Sequence, residues 1–431
     1  MVEFMIYGAT GYTGRLASEY SKSLGMNFIV AGRNDGSVKQ IASSLEVPYR
    51  VFNTDDRQIL DSSLRGIRVL LNCAGPFMRT AEPLIDACIR CGIHYLDISA
   101  ELTSYRLVEE RDGKAKAANV MLLPGCGGSV AMLGCLAGHA VNRNEAATSI
   151  DVALFVAGSM SRGSAISAAG LTPECLQRQD GNLIKQNPQN IAQFDFDDGE
   201  GLVDCSPVTL PDLITMWKST KSPNIKTFVH VSGDAFPVGD LSALPDGPTT
   251  EQRRENLYHA AVTVTTEAGI TKKAVLHTAN GYDFTSVASV EAARRVLDGQ
   301  FRGGFQTPAN MFGSGFFSTT RKILQATFSM PSYVVTGASR GLGYAFVKLL
   351  ASDPSNTVIG LVRNPTATQA RLTADGISNV HVIAADIADE TALRNAAEET
   401  KRILNGEGLD VLINNAAYVS EITALKTLQD L

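Results

Sequence analysis

The sequence predicts an α/β protein: a doubly wound parallel sheet, an α+β domain beside it, and part of a second doubly wound sheet at the C-terminal end. Three observations predict it. Short apolar runs alternate with helix-like segments through the first quarter of the chain, period-two alternation replaces that rhythm from about Ser149, and a strand, glycine turn and helix occur in succession twice, from Phe4 and from Tyr333. Alternating β and α segments imply parallel strands, because each crossover helix must pack back on the sheet. At 431 residues the chain is also too long for one ordinary core.

The first strand is Phe4-Met5-Ile6-Tyr7, followed by a turn containing Gly8, Gly11 and Gly14 and a helix to about Leu24. Further strands are expected at Phe28 to Ala31, Tyr49 to Phe52, Val69 to Leu71, Tyr95 to Leu96 and Val120 to Leu123. From Ala117 to Asn142 no residue is charged, yet Pro124, Gly125, Gly127 and Gly128 divide the run. Each piece is shorter than the roughly 20 residues a membrane span needs, so the run reads as a buried strand and then a buried helix. Alternation then marks strands at Asp151 to Val156, Lys226 to Val231, Ala261 to Thr265 and Lys273 to His277, the last two forming a hairpin across Gly269. A helix from Val290 to Leu297 and a Gly/Phe-rich tail to Phe317 return to the first domain. After a polar linker the pattern restarts at Tyr333-Val334-Val335, with strands at Val358 to Leu361, Val380 to Ile383 and Val411 to Ile413. The expected domains are 1–127 completed by 278–317, an α+β substrate domain over 128–277, a linker over 318–331, and a half-domain over 332–431.

Composition excludes some functions. The formal net charge is −6 and Lys and Arg are scattered singly, so no basic stripe is present to bind a nucleic-acid backbone. Seven cysteines, odd in number and without a preceding secretory signal, point to a reducing compartment, and the expected location is cytoplasmic. Cys88 and Cys91 have Cys-x-x-Cys spacing but no second pair, so no metal is expected.

The turn Gly8-Ala9-Thr10-Gly11-Tyr12-Thr13-Gly14 has a mechanical meaning. Positions without side chains let the backbone approach a pyrophosphate, and the helix that follows offers unpaired N–H donors. This is the sequence pattern of a Rossmann dinucleotide-binding domain. Where the second strand ends, an acidic residue would grip the ribose of NAD; here Gly32-Arg33-Asn34 stands instead, and a guanidinium suits the 2′-phosphate of NADP. Asp35 follows closely, so NAD remains the alternative. After the fourth strand, Asn72-Cys73-Ala74-Gly75-Pro76-Phe77 makes a tight turn at the sheet edge where ligands of such folds sit.

With these residues in view, the first 317 or so positions resemble the saccharopine dehydrogenase-like NADP-binding oxidoreductases, in the branch whose loop reads Gly-Ala-Thr-Gly-Tyr-Thr-Gly. The turn from Asn72 to Phe77, the stretch His94-Tyr95-Leu96-Asp97-Ile98-Ser99 with Glu101, Ser161-Arg162-Gly163-Ser164, and Gly304 to Ala309 are similar to that branch. The resemblance implies hydride transfer with NADP and leaves the substrate open. In one departure, many relatives carry an aromatic-Asp-Ser turn after the strand ending at Leu123, whereas this chain has Pro124 to Ser129 and lacks the acidic side chain.

Hydride transfer requires no covalent nucleophile, only a held nicotinamide and a group that handles a proton at the reacting heteroatom. Asp97, then His94, with Tyr95 and Glu101, are the catalytic candidates, read as a cluster at a strand's carboxyl end; ordinary packing is the alternative. Ser161, Arg162 and Ser164 open a helix of the second domain and are candidates for a substrate anion, with capping as the alternative. Ser129 opens the buried helix, whose dipole would favour a carboxylate or oxyanion.

In the last hundred residues, Thr336-Gly337-Ala338-Ser339-Arg340-Gly341-Leu342-Gly343, Asp386-Ile387 and Asn414-Asn415-Ala416-Ala417 resemble the short-chain dehydrogenase/reductases. The resemblance implies a pyrophosphate loop at Gly337, Ser339, Arg340, Gly341, Leu342 and Gly343, a 2′-phosphate contact at Arg363 and Asn364, an adenine contact at Asp386 and Ile387, and a strand end shaped by Asn414, Asn415 and Ala416. That family's chemistry uses a Ser and a Tyr-x-x-x-Lys pair, and neither is expected here, since Tyr418 is followed four residues on by Ile422. The segment is therefore expected to be catalytically incomplete, with a bare strand at Val411 to Ile413 and exposed apolar helix faces.

The function expected is NADP-dependent oxidation or reduction of a small carbonyl, imine or enoyl substrate; the alternative is a nonenzymatic NADP-binding sensor or scaffold. The partner expected is a small molecule, with no nucleic acid and no integral membrane segment, and with a homo-oligomer or pairing through the open C-terminal sheet edge.

Overall fold

The computed structural model describes residues 2–141, 146–169, 174–233, 239–269, 271–313, 316, 332–352, 356–404 and 409–416. The expected linker, Phe317 and residues 417–431 lie outside the described residues. The chain divides into two compact units, 1–328 and 329–431.

In the first unit, β1 (Phe4–Tyr7), β2 (Phe28–Gly32), β3 (Tyr49–Val51), β4 (Val69–Asn72), β5 (His94–Asp97) and β6 (Met121–Leu123) alternate with α1 (Tyr12–Ser23), α2 (Asp35–Leu45), α3 (Arg57–Ser63), α4 (Phe77–Cys91), α5 (Leu102–Ala117) and α6 (Gly128–Ala140). The strands are parallel in the order β6-β5-β4-β1-β2-β3. Every residue of β1 and β4 is buried, as a parallel sheet covered on both faces requires. The strand order reverses between β1 and β4, and the crevice at their carboxyl ends is where such sheets bind ligands.

A second sheet is built from β7 (Ala147–Ala157), β8 (Leu176–Gln179), β9 (Asn182–Lys185), β10 (Ala192–Asp195), β11 (Leu202–Pro207), β12 (Asn224–Ser232), β13 (Tyr258–Thr266) and β14 (Thr271–Thr278), with α7 (Arg162–Ala169), α8 (Asp212–Thr220) and α9 (Thr250–Glu255) between them. Its neighbours are antiparallel except β7 and β12, and β13 and β14 form the hairpin expected around Gly269. The uncharged helix α6 packs on β7, β13 and β14 and is buried from Val130 to Ala137, so it is the seam between the two sheets. A helix hydrophobic all round needs such a position. The chain then runs through α10 (Gly281–Leu297), which lies along α1, and β15 (Gly304–Phe305), which extends the first sheet beside β6, to α11 (Pro308–Phe312).

The second unit holds β16 (Ser332–Thr336), α12 (Gly341–Ala351), β17 (Thr357–Val362), α13 (Pro365–Ala374), β18 (Val380–Ala384), α14 (Glu390–Ile403) and β19 (Val411–Ile413). Its four parallel strands follow the order β18-β17-β16-β19. Leu342 and Leu349 on α12 and Leu412 on β19 are 73%, 69% and 53% exposed, so an apolar surface lies open among the described residues. No helix among the described residues is long and apolar enough to cross a membrane.

Candidate functional site

The glycine turn after β1 is fixed by contacts that a side chain would break. At Gly8, where φ is +82°, a Cβ would stand 2.6 Å from the backbone nitrogen of Ala74; at Gly14 it would stand 2.2 Å from the Gly8 carbonyl oxygen. The Gly8 and Ala9 amides donate to the Ala31 carbonyl at 2.8 and 3.2 Å, which fastens the turn to β2. Helix α1 starts after Gly11 with no side-chain cap, so the amides of Tyr12, Thr13 and Gly14 open the helix without a competing side-chain acceptor. Together with Thr10 they form a concave backbone cradle that fits a pyrophosphate. At the end of β2, Arg33 is exposed and makes no hydrogen bond or ion pair with the described residues. Asp35, the NAD alternative, is paired with Lys39 at 2.8 Å, and the Asn34 side chain accepts from the Ser37 amide at 3.0 Å, capping α2. Of these three, Arg33 is the one free to meet a phosphate.

The turn after β4 rests on a buried polar web. The Asn72 side chain accepts from the Ala74 amide at 2.9 Å and donates to Thr80 at 3.2 Å and to the Tyr95 hydroxyl at 3.1 Å. Thr80 in turn donates to the Ala74 carbonyl at 2.6 Å. The Cys73 amide donates to the Tyr7 carbonyl at 2.8 Å, and burial pushes the Cys73 thiol well above its ordinary range. Ala74, Gly75 and Pro76 thereby form a fixed wall opposite the glycine turn. No Cβ of ordinary size fits at Gly75 without pressing on Ser167 of α7, 3.2 Å away.

The catalytic cluster read from the sequence needs correcting. His94 is the first residue of β5, at the amino end of the strand, and so at the opposite edge of the sheet from the cradle. Its Nδ1 accepts from the Met121 amide at 3.1 Å and its ring lies against Phe301, with centroids 4.1 Å apart. Burial, helped by Arg68, pushes its pKa down to about 4. The Tyr95 hydroxyl donates to Asp97 Oδ2 at 2.9 Å. Asp97 Oδ1 accepts from the Ser99 amide and hydroxyl and from the Gly125 amide at 2.9, 2.8 and 2.8 Å, and the residue has no exposed surface. Burial raises its pKa, and those hydrogen bonds work against the rise. The two Glu101 oxygens accept from the Phe77 and Met78 amides at 3.0 and 2.8 Å, capping α4. These side chains tie β4, β5 and β6 together beneath the cleft, and sequence spacing alone did not distinguish such a web from a catalytic one.

Across the cleft, Ser161 caps α7 by accepting from the Ser164 amide at 3.2 Å, and its own amide donates to the Tyr282 hydroxyl at 2.6 Å. Tyr282 donates to the Ser164 hydroxyl at 3.1 Å and meets the Tyr12 ring edge-on at 5.1 Å. Arg162 is paired with Asp246, which also binds Arg15 of α1 at 3.0 Å. Arg15, Tyr282 and Asp246 join this network without belonging to any local sequence motif. Ser129 is half-buried in the first turn of α6, beside Gly127, where a Cβ would stand 2.8 Å from the Thr285 carbonyl oxygen.

The second unit repeats the cradle. At Gly343 a Cβ would stand 2.3 Å from the Gly337 carbonyl oxygen, and at Gly337 it would stand 3.0 Å from Ala416. Helix α12 begins after Arg340 without a side-chain cap, and the Asn415 side chain donates to the Thr336 carbonyl at 3.1 Å. Ser339 offers its carbonyl to Arg371 at 3.2 Å, while Gly341 and Leu342 open α12. Arg363, Asn364, Asp386 and Asn414 are exposed and Ile387 is half-buried; the Asn364 side chain caps α13 and Asp386 accepts from the Ala388 amide at 3.0 Å. A Tyr-x-x-x-Lys spacing does occur, at Tyr344 and Lys348 within α12. Both side chains bind Asp375 at 3.0 Å, so the pair braces α12 against the end of α13.

Comparison with known proteins agrees with this division. The family model described as the saccharopine dehydrogenase NADP binding domain matches residues 4–123, and the one described as short chain dehydrogenase matches residues 332–430. The short-chain dehydrogenase/reductase AacuF of Aspergillus aculeatus is 53% identical over 102 residues, which is 24% of this chain and 38% of that protein. A protein named trans-acting enoyl reductase from Mycobacterium leprae is 28% identical over 134 residues, covering 29% of this chain and 32% of its own length. The chain thus spans well under half the length of these curated relatives. Among solved structures, apo saccharopine dehydrogenase (L-Glu forming) from Saccharomyces cerevisiae aligns with a TM-score of 0.53 at 12% identity, over 76% of this chain and 100% of that one, a likeness of fold.

Proposed function

We propose that this chain, which joins an NADP-binding domain of the saccharopine dehydrogenase type to a short-chain dehydrogenase segment, is an NADP-dependent oxidoreductase whose working cofactor site is the first glycine cradle. The observation that carries the reading is the pairing of a cradle only glycine can line, at Gly8 and Gly14, with an unpartnered Arg33 at the end of β2. Tyr12, Thr13 and Gly14 bind the pyrophosphate through backbone amides, Arg33 binds the 2′-phosphate, and Ala74 to Pro76 hold the far half of the dinucleotide. The bound cofactor supplies or accepts a hydride. Asn72, Tyr95, Asp97 and Glu101 are positioning residues that hold the turn after β4 in place. A small carbonyl, imine or enoyl substrate binds beside that turn, near Ser161, Arg162, Ser164 and Ser129. The enoyl option gains support from the name of the mycobacterial relative.

The segment over residues 332–431 keeps a second cradle and contributes no chemistry of its own, since its Tyr344 and Lys348 are engaged with Asp375. The β19 edge, unpaired among the described residues, suits pairing with another subunit. A cytoplasmic setting, which would keep its seven cysteines as free thiols, is the location that fits this reading.

The test is NADPH oxidation by the full chain against a panel of small enones, ketones and imines, followed by loss of the reduced nicotinamide's absorbance. Turnover that disappears in Gly14→Ala and survives in Gly343→Ala is the expected outcome; turnover lost only in Gly343→Ala would move the reaction to the second unit. The sensor or scaffold reading requires no turnover with any member of the panel.

A further inference from the structure

A short strap crosses the entrance to the first cradle. Residues 246–248 lie across Tyr12, the first residue of α1: a Cβ on Gly247 would stand 2.5 Å from the Tyr12 ring, so only glycine fits, and the Tyr12 hydroxyl donates to the Pro248 carbonyl. The far end of the strap is anchored, because Arg253 donates to the same carbonyl at 3.2 Å and to Tyr12 at 2.7 Å, and binds Asp283 at 2.8 Å. The near end is held by one side chain. Asp246 accepts from Arg15 on the cofactor domain and from Arg162 on the substrate domain, and its side chain is 56% exposed.

This arrangement is electrostatically unusual. Arg15 lies in the first turn or so of α1 and Arg162 is the first residue of α7, positions where the helix dipole disfavours a cation. Two guanidinium groups share a single carboxylate, which leaves a surplus positive charge beside the pyrophosphate cradle. Exposed ion pairs of this kind contribute little stability, so the arginines are readily re-partnered.

Resting on the NADP reading above, we propose that Arg15 and Arg162 form a two-domain clamp for the diphosphate of the cofactor, and that Asp246 occupies this clamp as an internal anion until the nucleotide displaces it. The strap then swings on its Pro248 anchor, and Arg162 carries the substrate domain onto the bound nucleotide.

The experiment is a fluorescence titration of the full chain with NADPH, in wild type, Asp246→Asn, Arg162→Gln and the double variant. Removing the competing charge is expected to tighten NADPH binding about three- to tenfold, the range two exposed ion pairs allow. Arg162→Gln is expected to weaken binding and to cancel most of the gain in the double variant. Unchanged or weaker binding by Asp246→Asn, with wild type binding normally, overturns the clamp and leaves the cofactor reading standing. Absence of NADPH binding in both wild type and Asp246→Asn overturns both.

Discussion

Two buried ionisable residues set opposite pH dependences. His94 is held neutral, with its pKa lowered from 6.5 to about 4 by burial and by Arg68, so the unfolded chain takes up its proton first and stability is lost as pH falls through that window. Asp212, the first residue of α8, has no exposed surface and no hydrogen-bond partner from another residue; burial raises its pKa from 3.8 to about 7. The folded state keeps that proton, so the Asp212 contribution is present in acid and is lost as pH rises through about 7. In wild type the two slopes offset each other between about pH 4 and pH 6.5. Urea unfolding across that range should therefore show His94→Gln losing stability more steeply with rising pH than wild type. Asp212→Asn should gain stability with rising pH and exceed wild type above neutrality, because wild type then carries a buried charge that the amide lacks. Parallel profiles for all three proteins would remove both groups from the account. A third residue, Tyr95, bridges Asn72 and Asp97; Tyr95→Phe leaves Asp97 Oδ2 without a partner while Asn72 keeps Thr80, and is expected to cost about 1–3 kcal/mol in the same measurement.

At the level of elements, the glycine turns were legible in the sequence because only glycine satisfies their geometry, and a motif records that constraint directly. Arg33 was legible for a similar reason, being fixed in position by the end of β2. The polar web beneath the cleft was not legible as structure. Its members are drawn from β4, β5, α4 and the turn before α6, and a residue such as Asp97 looks the same in a sequence whether its oxygens face substrate or meet the amides of Ser99 and Gly125. His94 was misplaced because a four-residue strand puts its first and last side chains at opposite edges of the sheet. The strands β8 to β11 were also missed, since segments such as Leu176–Gln179 carry few apolar residues to alternate. The elements differ in tolerance accordingly. Gly14→Ala forces a Cβ against the Gly8 carbonyl oxygen and is expected to weaken NADPH binding by more than about tenfold, since an overpacked turn must shift its backbone. Gly113→Ala in α5, where nothing lies within 4 Å of the added carbon, should leave binding unchanged and stabilise the helix by about 0.5–1 kcal/mol. Calorimetric titration and thermal unfolding of the two variants check both statements.

For the whole molecule, the alternation of β and α segments made the fold class legible, and the uncharged run from Ala117 to Asn142 marked the helix that joins the two sheets of the first unit. The candidate site was legible only in part, because its glycine turn is written in a contiguous loop whereas the residues facing that turn come from α7, α10 and the strap, which are distant in sequence. The two units each carry a glycine cradle, and the account assigns the cofactor to the first. The measurement that tests this most directly is a titration of the full chain with NADPH and NADH, comparing wild type, Arg33→Asp and Arg363→Asp. The account predicts that wild type prefers NADPH, that Arg33→Asp loses that preference as its carboxylate repels the 2′-phosphate, and that Arg363→Asp leaves the dominant binding event unchanged. NADPH binding untouched by Arg33→Asp would contradict it.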